Sequence, residues 1–366
     1  KLLGEGKKDE AHSTFSMMVL FTLLLGLALS AVGVLTMPAV ARLLRATDTM
    51  MPDCVLYGRI VTGFTFAFML QNVFQSFFIA AEKPRLGLFV TVAAGVTNMV
   101  LDALFMAVFK WGVAGAAIAT GLSQCVGGVL PLIYFLRPNS SLLRLRPTAL
   151  RLRPILQACG NGSSELMSNI SSSLVGMLYN FQLLRLIGED GVSAYGVLMY
   201  VQFIFVAIFI GYSIGCAPVV SFHYGAGNQN ELKSLLRKSV LLMGLGGVAL
   251  TAAAMLLASP LAKLFVGYDA DLYALTTHAF RLFSWSFLLA GFNIFASGFF
   301  TALNNGAVSA IISFLRTLVF QAGSVIILPL LLDVDGIWYA ITSAEIFAFI
   351  ISCTFLLAKR NKYHYM

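Results

Sequence analysis

Apolar runs follow one another along the whole chain, and only short polar breaks separate them. A membrane-spanning helix needs about 20 predominantly apolar residues. Ten stretches meet that length, at 15–40, 54–81, 86–109, 112–136, 154–187, 191–218, 236–264, 274–302, 307–331 and 336–358. Most exceed the minimum, which predicts tilted or kinked helices; Gly211, Gly215 and Pro218 inside one run agree with this. One polar break differs from the rest. Residues 137–153 carry Arg137, Arg144, Arg146, Arg151 and Arg153 with Pro138 and Pro147, and read as a linker between a first half, 1–136, and a second half, 154–366.

The polar breaks also repeat. Gly4-Glu5-Gly6-Lys7-Lys8-Asp9-Glu10 returns as Gly225-Ala226-Gly227-Asn228-Gln229-Asn230-Glu231, 221 residues later. Phe78-Ile79-Ala80-Ala81 matches Phe299-Phe300-Thr301-Ala302 at the same spacing, and Gly112-Val113-Ala114-Gly115 matches Gly336-Ile337-Trp338-Tyr339 with an offset of 224. Duplicated helical bundles are a hallmark of secondary transporters, whose substrate sites lie at the interface of the repeats. Four runs precede the linker and six follow it. In the second half two runs precede the Gly-x-Gly loop; in the first half none does. The first half is therefore expected to lack its first two helices, giving ten transmembrane helices of an expected twelve.

Composition fixes the solvent. Hydrophobic residues make up 59% and charged residues 11% of the chain, against roughly 25% charged in soluble domains. So much apolar surface requires lipid. The net charge of +8 is not a nucleic-acid signal, because the basic residues cluster in the polar breaks. With the Gly-x-Gly loops inside, the inner face holds Lys1, Lys7, Lys8, Lys83, Arg85, the five linker arginines, Lys233, Arg237, Lys238, Lys359, Arg360 and Lys362. The outer face holds Arg42, Arg45, Arg59, Lys110, Arg185 and Lys263. Sixteen against six satisfies the positive-inside rule with the linker and C-terminus cytoplasmic. Six runs separate the two Gly-x-Gly loops, an even number, so the repeats are parallel and related by an axis along the membrane normal. The fold class is an all-α polytopic membrane protein of two parallel-repeat lobes enclosing a central cavity.

The ordered set Leu3-Gly4-Glu5-Gly6, Ala80-Ala81-Glu82-Lys83-Pro84-Arg85, Asn98-Met99-Val100-Leu101-Asp102, Gly112-Val113-Ala114-Gly115-Ala116 and Pro218-Val219-Val220-Ser221-Phe222-His223-Tyr224-Gly225 resembles the multidrug and toxic compound extrusion (MATE) family. The resemblance covers essentially the whole chain. It implies a plasma-membrane antiporter that expels amphipathic, often cationic compounds in exchange for H⁺ or Na⁺, working as a monomer without a cofactor. In many relatives an acidic residue on the first helix binds the coupling ion; no residue of this chain matches that helix. A Glu on the seventh helix of the family couples cations, and Glu165 stands at the matching place.

Glu165 is also the first candidate on physical grounds. A carboxylate in hydrocarbon is costly unless protonated, paired or hydrated, so it tends to face an aqueous cavity, and burial raises its proton affinity. The competing reading is a solvated Glu paired with Arg151 or Arg153. Asn169, Ser172, Ser173 and Asn180 extend a polar face beyond it, fit either to line a cavity or to join helices. Asn98 and Asp102, four apart on one helix face, form a second ion-coupling candidate or a structural hydrogen-bond pair. Gln71, Asn72 and Gln75 on one helix and Asn293 on its repeat-related counterpart are candidate cavity residues. Arg281 and Arg316 read as snorkelling or lobe-internal pairs, and Glu345 as a partner for a buried Arg or a minor ion site. Phe64, Phe66, Phe68, Met177, Tyr179, Met199, Tyr200, Phe203 and Phe205 offer adaptable, cation–π-capable surface or plain packing.

Enzyme chemistry finds no footing. His12, His223, His278 and His364 form no triad or metal spacing, Cys54, Cys125, Cys159, Cys216 and Cys353 are scattered singly, and no GxxxxGK[ST] loop is present. The alternative to drug export is a lipid-linked saccharide flippase of the same architecture. That function needs several cationic groups at mid-membrane, where only Arg281 and Arg316 stand.

Overall fold

The computed structural model describes residues 1–43 and 50–365; Arg45, one of the basic residues counted on the outer face, lies outside the described residues. Every regular element among them is a helix. Hydrocarbon offers no partner for a peptide N–H or C=O, so a spanning segment must satisfy its backbone internally. The predicted runs become α1 (Lys8–Leu43), α2 (Met51–Gly63), α3 (Thr65–Ala80), α4 (Pro84–Asp102) and α5 (Gly112–Leu136), then α6 (Leu152–Asn161), α7 (Ser163–Leu186), α8 (Glu189–Gly225) and α9 (Gln229–Val266). They continue as α10 (Ala270–Phe283), α11 (Phe287–Ala302), α12 (Gly306–Phe314) and α13 (Gln321–Tyr363). Short polar caps start several of them: Asn228 accepts from the Glu231 N–H, Asn305 from the Val308 N–H, and Asp269 from the N–H groups of Asp271 and Leu272.

Several predicted runs are broken rather than straight. α2 and α3 meet at a bend of 44°. A 3₁₀ turn, Ser284–Ser286, joins α10 to α11, and π-helical turns occupy Ala103–Val108 after α4 and Leu315–Phe320 after α12. The run 154–187 is two helices, parted at Gly162. α13 leaves helical geometry at Asp333 (φ 49°, ψ −133°). Among the described residues seven helical stretches are long and apolar enough to cross a membrane, or eight with the bent α2–α3 pair. The expected ten differ from this for two reasons: α7, rich in Ser and Asn, is not among the seven, and Gly306–Tyr363 counts once although Asp333 interrupts it.

The chain divides into two compact units, one of Gly6–Ile155 with Leu2, the other of Leu156–Met366 with Lys1 and Leu3–Glu5. In the first, α5 packs on α2, α3 and α4, and α1 on α2 and α3. Phe15, Phe74, Phe78 and Phe135 are buried at its core, with ring centroids 5.0 to 5.7 Å apart around Phe135. Small residues let α5 approach closely: a Cβ added to Gly128 would lie 2.7 Å from the Ala67 carbonyl oxygen. In the second unit Tyr179, Phe280, Phe283, Phe287 and Trp338 form one buried cluster.

The sequence repeat is written into the backbone. Positive φ occurs at Gly6 (76°) and Gly227 (68°), at Glu82 (58°) and Asn304 (60°), and at Lys110 (56°) and Asp333 (49°), offsets of 221, 222 and 223. The bonds recur too. Lys83 N–H donates to Phe78 O (2.8 Å) and Glu82 N–H to Ile79 O (3.1 Å); Asn305 N–H donates to Phe300 O (2.9 Å) and Asn304 N–H to Thr301 O (2.9 Å). Lys7 N–H donates to Leu2 O and Asn228 N–H to His223 O, both at 3.0 Å. This is the left-handed helix terminus that satisfies the last carbonyls. Even Pro38 of α1 has its counterpart in Pro260 of α9.

Left-handed backbone costs an L-residue roughly 1–2 kcal/mol. Gly227→Ala should therefore lower thermal stability in detergent. Gly196→Ala, in α8 with open space around it, should raise it by about 0.5–1 kcal/mol. Shifts of the same sign would contradict the terminus geometry.

Candidate functional site

α7 gives the polar face its form. Glu165 stands in the first turn of the helix, where the positive end of the helix dipole favours a carboxylate. Ser164, Ser171, Val175, Tyr179 and Leu183 make the buried stripe; Glu165, Asn169, Ser172, Ser173 and Asn180 are exposed. Asn169 Nδ2 donates to Glu165 O (2.8 Å), Ser172 Oγ to Ser168 O (2.8 Å) and Ser173 Oγ to Asn169 O (3.2 Å). Asn169, Ser172 and Ser173 thus turn a donor back onto their own helix, as Ser and Asn often do. What remains outward is rich in acceptors, the Glu165 carboxylate, the Asn169 side-chain carbonyl and hydroxyl lone pairs, beside amide N–H groups of Asn169 and Asn180. Such a surface suits a cation. Neither Arg151 nor Arg153 is bonded to Glu165 among the described contacts.

A second polar group lies inside the second unit. Arg316, in the π-helical turn, donates from Nε to Glu345 Oε1 and Oε2 (both 3.0 Å) and from Nη2 to Oε1 (2.6 Å). Asn293 Nδ2 donates to Glu345 Oε2 (2.7 Å) and to the Glu345 carbonyl (3.0 Å), and Ser352 Oγ donates to Asn293 Oδ1 (3.0 Å). Of the two readings open for Glu345, the structure has the partner of a buried Arg. Asn293, expected on a cavity wall, has 0% exposure; its amide orients the carboxylate instead. No sequence signal pairs residues 29 positions apart across a π turn. Arg281 stays exposed on α10. Beside this group, Val319, Phe320, Ile327, Leu331 and Phe347 line an apolar cavity of about 510 Å³.

In the first unit, Asn98 and Asp102 share one face of α4, and Asp102 is its last residue before the π-helical turn. Asn98 Nδ2 and Asp102 Oδ1 are enclosed and have no hydrogen-bond partner. These two atoms bond neither each other nor a neighbouring helix. Enclosed polar atoms without partners call for an ion, a proton or a water, and π turns are frequent at functional sites. Gln71 lies against Gly127 of α5, Asn72 donates to its own helix at Phe68 O (2.8 Å) and Gln75 Nε2 reaches Thr91 Oγ1 at 3.4 Å. Gln75 is exposed and Gln71 half-buried. Among the described residues no three His, Cys, Asp or Glu side chains gather as a metal site.

Removing one partner of a buried ion pair costs roughly 3–5 kcal/mol, because the other is left uncompensated, whereas replacing both by apolar groups is often neutral. Arg316→Met alone should lower thermal stability in detergent strongly, and the double variant Arg316→Met with Glu345→Leu should recover most of the loss. Equal losses in the single and double variants would show that the pair is not coupled.

Comparison with known proteins agrees with this architecture. The family model MatE matches residues 1–104 and 166–325. The chain is 21% identical over 371 residues to the multidrug export protein MepA of Staphylococcus haemolyticus (strain JCSC1435), covering 99% of this chain and 79% of that protein. A crystal structure of MATE in complex with MaL6 superposes with a TM-score of 0.94 at 20% identity, covering 100% of this chain and 82% of that one. A transporter of the MOP superfamily from Pyrococcus furiosus Vc1 (DSM3638), described as having a binding pocket of reverse polarity that suggests a different function, superposes at 0.92 with 20% identity, over 99% and 82% of the two chains. The chain belongs to the MatE family of multidrug export transporters, membrane proteins and not enzymes.

Proposed function

We propose that the protein is a secondary active antiporter of the plasma membrane, exporting amphipathic or cationic compounds in exchange for H⁺ or Na⁺ by alternating access. The observation that carries this reading is the face of α7, exposed and acceptor-rich around Glu165. A carboxylate there binds either a coupling ion or a cationic substrate, and competition between them is what antiport requires. Facing outward, Glu165 takes up the ion and releases substrate; facing inward, it loses the ion and rebinds substrate. Asp102, with an enclosed unpartnered oxygen beside a π turn, is the second ion-coupling candidate. Asn169, Ser172, Asn180, Asn98, Gln71 and Gln75 are the candidates for substrate contact.

The same reading gives ten crossings. At 1.5 Å per residue the 58-residue stretch Gly306–Tyr363 extends about 87 Å, nearly three times a hydrocarbon core of about 30 Å, so the Asp333 break divides it into two. α7 adds another crossing, its polar face turned from lipid. The lobes are 1–136 and 154–366, with the linker 137–153 and the C-terminus cytoplasmic, and the protein works as a monomer. The flippase alternative is less well supported. It needs free cationic groups at mid-membrane, and Arg316 is already neutralised by Glu345.

Glu165→Gln mimics the protonated carboxyl and cannot cycle. In vesicles carrying an imposed H⁺ or Na⁺ gradient, ethidium efflux by the full chain should fall at least tenfold, the scale of about 1.4 kcal/mol, with expression unchanged. Unchanged efflux would remove Glu165 from the coupling role and place Asp102→Asn next in line. Loss under one gradient alone identifies the coupling ion.

A further inference from the structure

Residues 103–164 contain no Asp or Glu but carry the five linker arginines. The segment 137–151 is irregular, yet it is pinned along the first turns of α1. The pins are backbone groups. Arg144 N–H donates to His12 Nδ1 (3.1 Å), Arg146 N–H to Ser16 Oγ (2.8 Å) and Arg151 N–H to Met17 Sδ (3.3 Å); Thr148 and Ser13 hydroxyls meet at 3.0 Å. Leu143 is buried beneath, and Leu145 N–H donates to Phe135 O (3.2 Å). Among the described residues only Arg146 of the five has a carboxylate partner, Asp9 (2.8 Å), and Arg144 donates to the Asn139 carbonyl. Arg137, Arg144, Arg151 and Arg153 are all exposed. So are leucines beside them: Leu142 at 41%, Leu150 at 46% and Leu152 at 70%.

The level of this strap follows from the helices it joins. It begins at Arg137, directly after α5 ends, and lies along residues 12–17 of α1. α1 has 36 residues, about 54 Å of helix, well beyond a hydrocarbon core of about 30 Å. Its first turns therefore stand among the headgroups, and the strap with them. There the exposed leucines meet acyl chains and the arginines meet phosphates.

We infer that the strap 137–153 is a docking surface for anionic phospholipids, with Arg137, Arg144, Arg151 and Arg153 holding headgroup phosphates and Leu142, Leu150 and Leu152 entering the acyl boundary. The choice of the cytoplasmic leaflet rests on the orientation proposed above; the binding itself does not. Guanidinium suits phosphate by geometry as well as charge. A basic residue near an anionic membrane surface contributes about 1 kcal/mol, close to fivefold in affinity. Because the strap is held by its N–H groups, changing these side chains leaves its anchoring intact.

The test uses the purified full chain and native mass spectrometry, with equimolar phosphatidylglycerol and phosphatidylcholine added in detergent. The wild type should retain phosphatidylglycerol preferentially. The preference should weaken as salt rises from about 0.1 to about 1 M, where the screening length falls from about 10 to about 3 Å. Replacing Arg137, Arg144, Arg151 and Arg153 together by Gln should abolish the preference, and replacing them by Lys should keep most of it. Equal retention of both lipids by the wild type, an undiminished preference in the Gln variant, or displacement of lipid by inorganic phosphate would overturn the proposal. Should the Gln variant not fold, the salt series and the Lys variant decide. Since no step measures transport, failure here is separate from failure of the antiport reading.

Discussion

A peptide group in hydrocarbon has no solvent to bond, and this constraint shapes the whole molecule. It forces every crossing into helix and makes each interruption a local problem of unsatisfied N–H and C=O groups. The chain solves that problem with a few devices. Helices end on left-handed residues at Glu82, Gly227 and Asn304, which return the last carbonyls to bonded partners, and the turn ahead of α1 repeats the device at Gly6. Helices bend at a 3₁₀ turn at Ser284–Ser286 and at π turns at Ala103–Val108 and Leu315–Phe320, which redirect the axis without freeing the backbone. The recurrence of the left-handed termini at offsets of 221 to 223 shows that the breaks were duplicated along with the helices.

The same constraint governs the charges. Arg316 and Glu345 sit at low exposure in the second unit, and there the pair is closed: three short bonds between them, with Asn293 donating to the carboxylate and Ser352 holding the Asn293 amide. This arrangement has no capacity left for a passing cation. Glu165 is the opposite case, exposed at a helix N-terminus on a face of spare acceptors. Asp102 is intermediate, half-buried with one enclosed and unpartnered oxygen. Under the proposed function, the carboxylates left incomplete are the ones that exchange ions.

Much of this was legible in the sequence, for identifiable reasons. Apolar length and the Gly-x-Gly echo located nearly every helix, since both follow from local chemistry. The Arg316–Glu345 pair was legible only as two lone charges in apolar runs, each needing a partner; their meeting depends on tertiary packing. The breaks were harder. Gly6 and Gly227 announce a left-handed turn, but Glu82, Asn304 and Asp333 adopt positive φ without being glycine, and propensity does not mark them. The run 154–187 looked continuous because apolar length outweighed the turn residues Gly160-Asn161-Gly162 at its break. Asn293 looked like a cavity residue because polarity in a membrane helix does not tell which way the side chain turns.

Competition between substrate and coupling ion at one carboxylate is the centre of the functional account, and binding linkage measures it directly. Ethidium added to the purified protein in weakly buffered detergent should displace about one proton per bound cation, or bind more weakly as Na⁺ rises, because the two couplings are reciprocal. Binding that releases no proton and is indifferent to Na⁺ would contradict the account.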